Sequence, residues 1–275
     1  DQISWGDLGP QVYYKPVPSL KEVNSNTATI RLDYMVTADS GDGKTEYYKV
    51  SEYYRLRYTE ERIMLLDFER DVSQMFDPEA DVLTEAELRS VLDTKWLGKE
   101  VEYFYETDST NNRARDAAEK GASHGYLAVA DCQTAGKGRR GRVWNSPHGT
   151  DIFMSFLMRP SFEPAQASML TLVAGMAVVK GVQKATGLNA MIKWPNDAVV
   201  NGKKICGILT EMSTEDDTIR YVVVGIGINV NAREFPEEIR DKATSLKLEL
   251  GRSVKRSEII RSVAESFEEY YAVYG

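Results

Sequence analysis

Lys193-Trp194-Pro195-Asn196-Asp197-Ala198-Val199-Val200-Asn201-Gly202-Lys203-Lys204-Ile205-Cys206-Gly207-Ile208-Leu209 holds two apolar runs joined by an Asn-Gly pair. A two-residue type I′ turn needs positive φ at both central positions, and Asn-Gly tolerates that best, so residues 198–200 and 205–209 read as the arms of a β-hairpin. Outward from it, residues 126–133, 151–158, 191–194 and 221–230 read as strands, mostly apolar and therefore internal. Between them lie helical patterns. Residues 165–186 form a long apolar helix closed by Gly187. Ser109 or Thr110 caps a helix through Lys120 that Gly121 ends, and residues 257–271 make a final amphipathic helix. Thr84-Glu85-Ala86-Glu87 is a capping box opening a short helix through Leu92. Such alternation from Leu83 onward predicts an α/β or α+β domain.

Residues 1–82 differ in character. They carry 9 basic and 16 acidic groups, a net charge of −7; the whole chain has 34 and 42, which leaves 25 and 26 beyond residue 82, or −1. An acidic front part is a poor grip for phosphate backbones. The proline-containing run Asp77-Pro78-Glu79-Ala80-Asp81 reads as a linker. Residues 27–36 and 46–58, rich in β-branched and aromatic side chains around Asp39-Ser40-Gly41-Asp42-Gly43, read as a hairpin. Residues 63–76 fit either a strand running into a helix or one helix. Tyr47, Tyr48, Tyr53 and Tyr54 read as sheet packing rather than as a binding face. This module resembles no family and is assigned no function.

The two cysteines, Cys132 and Cys206, lie far apart without CxxC spacing, so neither a disulfide framework nor a zinc site is expected and a reducing cytoplasm fits. No window approaches 18 consecutive apolar residues, and no membrane span is expected.

Gly136-Lys137-Gly138-Arg139-Arg140-Gly141-Arg142 packs four cations and three glycines into seven residues. Glycines let backbone amides approach a polyanion, and arginines supply forked permanent charge; the bland alternative is a solvated basic turn. Mutually repelling cations between glycines predict a loop that is mobile alone and closes on a ligand. Familiar nucleotide signatures are excluded. Arg142-Val143 stands where a Walker loop needs Lys and Ser or Thr, and Gly225-Ile226-Gly227 has Val230 where a dinucleotide fingerprint needs its third glycine. The only histidines, His124 and His148, form no HExxH, and no Ser-His-Asp arrangement is indicated.

Taken in order, Asp108-Ser109-Thr110-Asn111, Gln133-Thr134-Ala135 with the basic loop, Trp144, Lys193-Trp194-Pro195-Asn196-Asp197, Lys204-Ile205-Cys206-Gly207-Ile208-Leu209 and Gly225-Ile226-Gly227-Ile228-Asn229 resemble the signature series of biotin–protein ligases. The resemblance runs from about Leu83 to Gly275. It implies an α+β fold: a mixed central sheet with flanking helices, related to class II aminoacyl-tRNA synthetases and lipoate ligases, preceded here by the small β-rich module. It further implies activation of biotin with ATP and Mg²⁺ to biotinyl-5′-AMP and transfer to a lysine of a biotin carboxyl carrier domain.

Roles follow residue by residue from the resemblance. Ser109, Thr110, Asn111 and Gln133 match the positions around the ureido head of biotin, and Gly136, Lys137, Gly138 and Arg139 the loop around its carboxylate. Trp144 matches an aromatic over the adenylate. Lys193, Asn196 and Asn229, with Arg140 and Arg142, match nucleotide contacts, and Lys204 the lysine beside the reacting carboxylate. Lys204, Arg139 and Lys193 are the expected catalytic cations, and closure of the 131–149 loop is expected to shield the adenylate from water. Asp197 is the candidate for orienting Lys193 or binding Mg²⁺, against a plain turn role.

Lys137 stands where some members have arginine, which keeps the charge and loses the fork. Many bacterial relatives begin with a winged helix and end with a small β-barrel; the front part here reads otherwise, and no barrel is expected after the last helix. Neither nucleic acid nor membrane is an expected partner, and a homodimer is left open. Two alternatives are carried: a lipoate–protein ligase, whose Arg-Arg-x-Ser-Gly-Gly-Gly run is absent, and an inactive binding module of the same fold.

Overall fold

In the computed structural model Asn201 and Gly202 both adopt positive φ, 51° and 78°, and join β9 (Asp197–Val200) to β10 (Lys203–Glu215) as an antiparallel hairpin. The residues described are 10–39, 45–59, 62–75, 81, 83–138, 141 and 148–274. They fall into two units, Asp1–Ala86 and Glu87–Gly275.

The second unit is built on a seven-stranded mixed sheet. To β9 and β10 it adds β5 (Val101–Thr107), β6 (Leu127–Gln133), β7 (Ile152–Met158), β8 (Met191–Lys193) and β11 (Thr218–Ile228). The order is β5-β6-β7-β11-β10-β9-β8, with β5 and β6 parallel and every other pair antiparallel. Central β7 is Ile-Phe-Met-Ser-Phe-Leu-Met, buried throughout, as a strand covered on both faces must be.

The flanking helices are α1 (Glu85–Val91), α2 (Thr110–Glu119), α3 (Leu170–Thr186), α4 (Leu246–Leu250) and α5 (Arg256–Tyr274). The expected helix over 165–186 divides: Pro164–Met169 is a 3-10 turn, and Gly187 then closes α3 in the left-handed region. Together Pro164–Thr186 has the length and hydropathy of a membrane span, yet half of it is buried in this unit, and Lys180 and Lys184 pair with Glu269 of α5. α5 is also pinned near its end, where the buried Glu268 carboxylate accepts the backbone N–H groups of Lys95, Trp96 and Leu97 at 2.7–2.8 Å.

The first unit is an antiparallel meander of β1 (Gln11–Val23), β2 (Thr27–Asp39), β3 (Thr45–Tyr58) and β4 (Ile63–Met75). The expected hairpin is β2 and β3. Residues 63–75 form a strand and no helix: β4 pairs with β3 from Tyr58↔Ile63 to Tyr47↔Met75. Leu56 faces Leu65 and Arg55 faces Asp67, so Leu66 is the extra residue of a bulge. That bulge sets two leucines side by side and breaks the period-two pattern, which is why the segment imitates a helix. β1, which the sequence did not reveal, is an edge strand with Pro16 and Pro18 and three register shifts. On this sheet Tyr34, Val36 and Val50 form an apolar cluster with Leu32 and Tyr48 against it. Tyr34 and Tyr54 donate to Glu52, which also pairs with Arg70; Tyr53 lies under Arg31. These tyrosines pack and brace the sheet; the Tyr47 side chain lies outside the described residues.

Candidate active site

The N-terminus of α2, the end of β6 and the middle of β10 and β11 surround one cavity in the second unit. Ser109, Thr110, Asn111, Gln133, Lys137, Gly138, Asn196 and Lys204 line it, with Phe153, Gly207, Ile208, Leu209, Gly225, Ile226 and Gly227. Eight of the residues singled out in the sequence therefore meet in one place.

One end of the cavity is neutral and interlocked. Gln133 Oε1 accepts the Thr110 N–H at 2.8 Å and lies 3.1 Å from the Thr110 hydroxyl. Ser155 Oγ, buried on β7, lies 2.8 Å from Thr110 Oγ1 and 2.7 Å from Asn111 Oδ1. The Asn111 amide nitrogen donates to Glu211 Oε2 at 2.7 Å, and because a carboxylate only accepts, this fixes which way the amide faces. Asn111 Oδ1 is thus turned inward against Gly225: a Cβ on Gly225 would lie 2.0 Å from it. The glycine on β11 is the space in which Asn111 rests. Ser109, Thr110 and Asn111 are all buried. The Gln133 amide nitrogen has no partner among the described residues and remains a donor for a ligand.

The other end is charged and built on turns. Lys204 Nζ pairs with Asp197 Oδ1 at 2.7 Å, both half-buried. Lys137 Nζ donates to Asn112 Oδ1 at 2.7 Å, and Asn112 donates to Asp108 Oδ2 at 2.5 Å. Burial pushes the Asp108 carboxyl up, but hydrogen bonds from Asn112 and the Ser109 N–H, with Arg113 nearby, outweigh it and hold the pKa below the ordinary aspartate value. Cys206, within β10 beneath the site, is no nucleophile: burial raises its thiol pKa far above the usual range.

Four of the expected residues that are described, Gly136, Lys193, Asp197 and Asn229, do not line this cavity. Gly136 is buried beside it, and Lys193 is exposed at the end of β8, where its register partner is Asp197. Asn229 is buried, its amide donating to the Thr244 carbonyl at 3.0 Å and the Lys204 carbonyl at 3.4 Å, which ties down the backbone that carries Lys204. Asn196 does line the cavity and donates to the Ile208 carbonyl at 3.0 Å. Arg139, Arg140, Arg142 and Trp144, and with them the closing part of the 131–149 loop, lie outside the described residues. Asp197 joins no cluster of three acidic, histidine or cysteine groups among the described residues. Ser155 and Glu211 were not foreseen; a lone serine inside the apolar run of β7 was the available signal for the first.

Residues 103–229 match the model of the Biotin/lipoate A/B protein ligase family. The bifunctional ligase/repressor BirA of Bacillus subtilis is 44% identical over 194 residues, covering 70% of this chain and 60% of that protein. The biotin–[acetyl-CoA-carboxylase] ligase of Paracoccus denitrificans is 36% identical over 171 residues, 60% of this chain and 70% of that protein. Among solved structures, a biotin protein ligase from Aquifex aeolicus in complex with biotin and ATP superposes with a TM-score of 0.55 at 38% identity, over 63% of this chain and 71% of that one. The chain spans about 60% of the length of the Bacillus subtilis relative.

Proposed function

We infer, from a chain that belongs to the biotin/lipoate A/B protein ligase family, that the second unit joins biotin to ATP as biotinyl-5′-AMP, releases pyrophosphate, and passes biotin to a lysine of a biotin carboxyl carrier domain. One observation carries this reading: a single cavity has a neutral hydrogen-bonding end, Ser109, Thr110, Asn111 and Gln133, and a cationic end with Lys204 and Lys137. A small molecule with a polar uncharged head and a carboxylate tail matches both.

Attack of that carboxylate on the α-phosphate brings two anions together. Lys204, oriented by Asp197, neutralises the developing charge, and Arg139 and Lys193 are proposed to do the same from loop and strand end. Lys137, Gly138 and Gly136 hold the carboxylate end, while Arg140, Arg142, Trp144, Asn196 and Asn229 are proposed to serve the nucleotide. Asp197 is the carboxylate that pairs with Lys204, and the described residues that line the cavity include no acid, so they fit a Mg²⁺ that would arrive with ATP rather than one caged by protein. When bound, such an ion would supply neutralisation of phosphate charge beside Lys204. A deprotonated acceptor lysine then attacks the acyl carbon and AMP leaves.

Biotin-dependent, Mg²⁺-dependent pyrophosphate release from ATP tests the reading. Release with lipoate and none with biotin would turn it to the lipoate ligase; release with neither would turn it to a binding module. We place the catalytic domain at 83–275 and residues 1–82 as a separate module. A chain beginning at Val82 is expected to release pyrophosphate at nearly the full-length rate, and a several-fold loss of ATP affinity would refute that. The acidic front sheet speaks against a nucleic-acid partner. We propose a cytoplasmic enzyme with no membrane partner; sedimentation at micromolar concentration decides between monomer and homodimer.

A further inference from the structure

Outside the residues that line the cavity, Glu106 near the end of β5, Cys132 near the end of β6 and His148 bring a carboxylate, a sulfur and an imidazole nitrogen within 4.8 Å of one another. We propose that these three side chains form a binding site for a Zn²⁺-class divalent ion, a site separate from the Mg²⁺ that travels with ATP.

The donor set is the one a borderline-soft ion selects: thiolate, imidazole and carboxylate, with a fourth position for water. Geometry agrees. His148 Nε2 and Glu106 Oε2 are 3.4 Å apart. Two ligands at Zn–N and Zn–O lengths of about 2.0–2.1 Å around a tetrahedral angle stand about 3.4 Å apart, so an ion fits between them with little movement. The far side of the ring is also prepared. His148 Nδ1 faces Asp131 Oδ2 at 3.3 Å, and Asp131 is itself held by the Gly149 N–H at 3.0 Å and by the fully buried Arg256 at 2.8 Å. A carboxylate on one imidazole nitrogen fixes the tautomer that offers the other to a metal, an arrangement metal-binding histidines almost always have. Tyr105 stacks on the ring at 4.6 Å and 26°, holding its plane.

Cys132 is buried, and coordination would release the thiol proton as the metal–thiolate bond forms. The competing arrangement is an ion pair, protonated His148 between Glu106 and Asp131, with the thiol a bystander. The site does not depend on which acid the enzyme activates.

Titration of the whole chain with Co²⁺ under reducing conditions decides between them. One equivalent is expected to bind with a thiolate-to-cobalt charge-transfer band in the near ultraviolet, and Zn²⁺ is expected to displace it. Cys132→Ser and His148→Ala should abolish the band, Cys206→Ser should keep it, and Glu106→Gln should weaken binding by about 10-fold or more, in the range found when a metal site loses a supporting group. Glu106 and His148 are exposed, so their variants keep the fold even where a change at buried Cys132 does not. Absence of a thiolate band in the wild-type chain, or a band that survives His148→Ala, would overturn the proposal.

Discussion

The two ends of the cavity are made differently. At the neutral end, Thr110, Asn111, Gln133 and Ser155 hang on α2, β6 and β7 and are bonded to one another before any ligand arrives. At the charged end, Lys204 follows a turn on β10 and pairs with Asp197, and Lys137 sits on a glycine-rich loop and donates to Asn112. A head group recognised by neutral donors and acceptors demands fixed geometry, since a hydrogen bond weakens steeply with angle and distance. Charge is less demanding of angle and distance, so cations can stabilise an anion that forms only during reaction without the same interlocking of partners. The contrast assigns selection to the interlocked neutral end and rate to the charged end.

Substitutions at each end break or sharpen that contrast. The largest effect is expected from Lys204→Ala, which should slow adenylation on the order of 100-fold or more while leaving biotin affinity much less changed. Equal losses in rate and affinity would erase the division of labour. Next comes Gly225→Ala. Its Cβ would stand 2.0 Å from Asn111 Oδ1, so Asn111 must leave its place, and biotin affinity should fall about 10- to 100-fold. Calorimetry that finds unchanged affinity would show that Asn111 takes no part in head-group recognition. Ser155→Ala removes only a buried hydroxyl beneath Thr110 and Asn111. Leaving those oxygens one partner short should weaken biotin by about 10-fold, with the adenylation rate at saturating biotin preserved. A Ser155→Ala chain that binds normally but turns over slowly would reverse the assignment.

What the sequence disclosed and what it hid divide along similar lines. The Asn201-Gly202 turn was legible because only a few residues accept positive φ twice running, and central β7 because a strand buried on both faces must be apolar throughout. The cavity's lining residues, Phe153 apart, were legible because they sit in short motifs whose composition is unusual as a set. β4 was not, because the extra Leu66 destroys the alternation that marks a strand, and β1 was blurred by prolines that only an edge strand tolerates. Ser155 and Glu211 act through partners that are 44 and 100 residues away in the chain, and no local pattern records such a meeting. The pairing of Asp197 with Lys204 rather than Lys193 depends on the register of β9 against β10, which spacing alone leaves open.

The central claim is that the preformed neutral end selects biotin by its head group, before nucleotide or loop contributes. Isothermal titration of the whole chain with biotin and with lipoate, both without ATP, tests it most directly. The account predicts one saturable biotin site and no measurable lipoate binding at the same concentrations; lipoate binding as tightly as biotin, or biotin binding only when ATP is present, would contradict it.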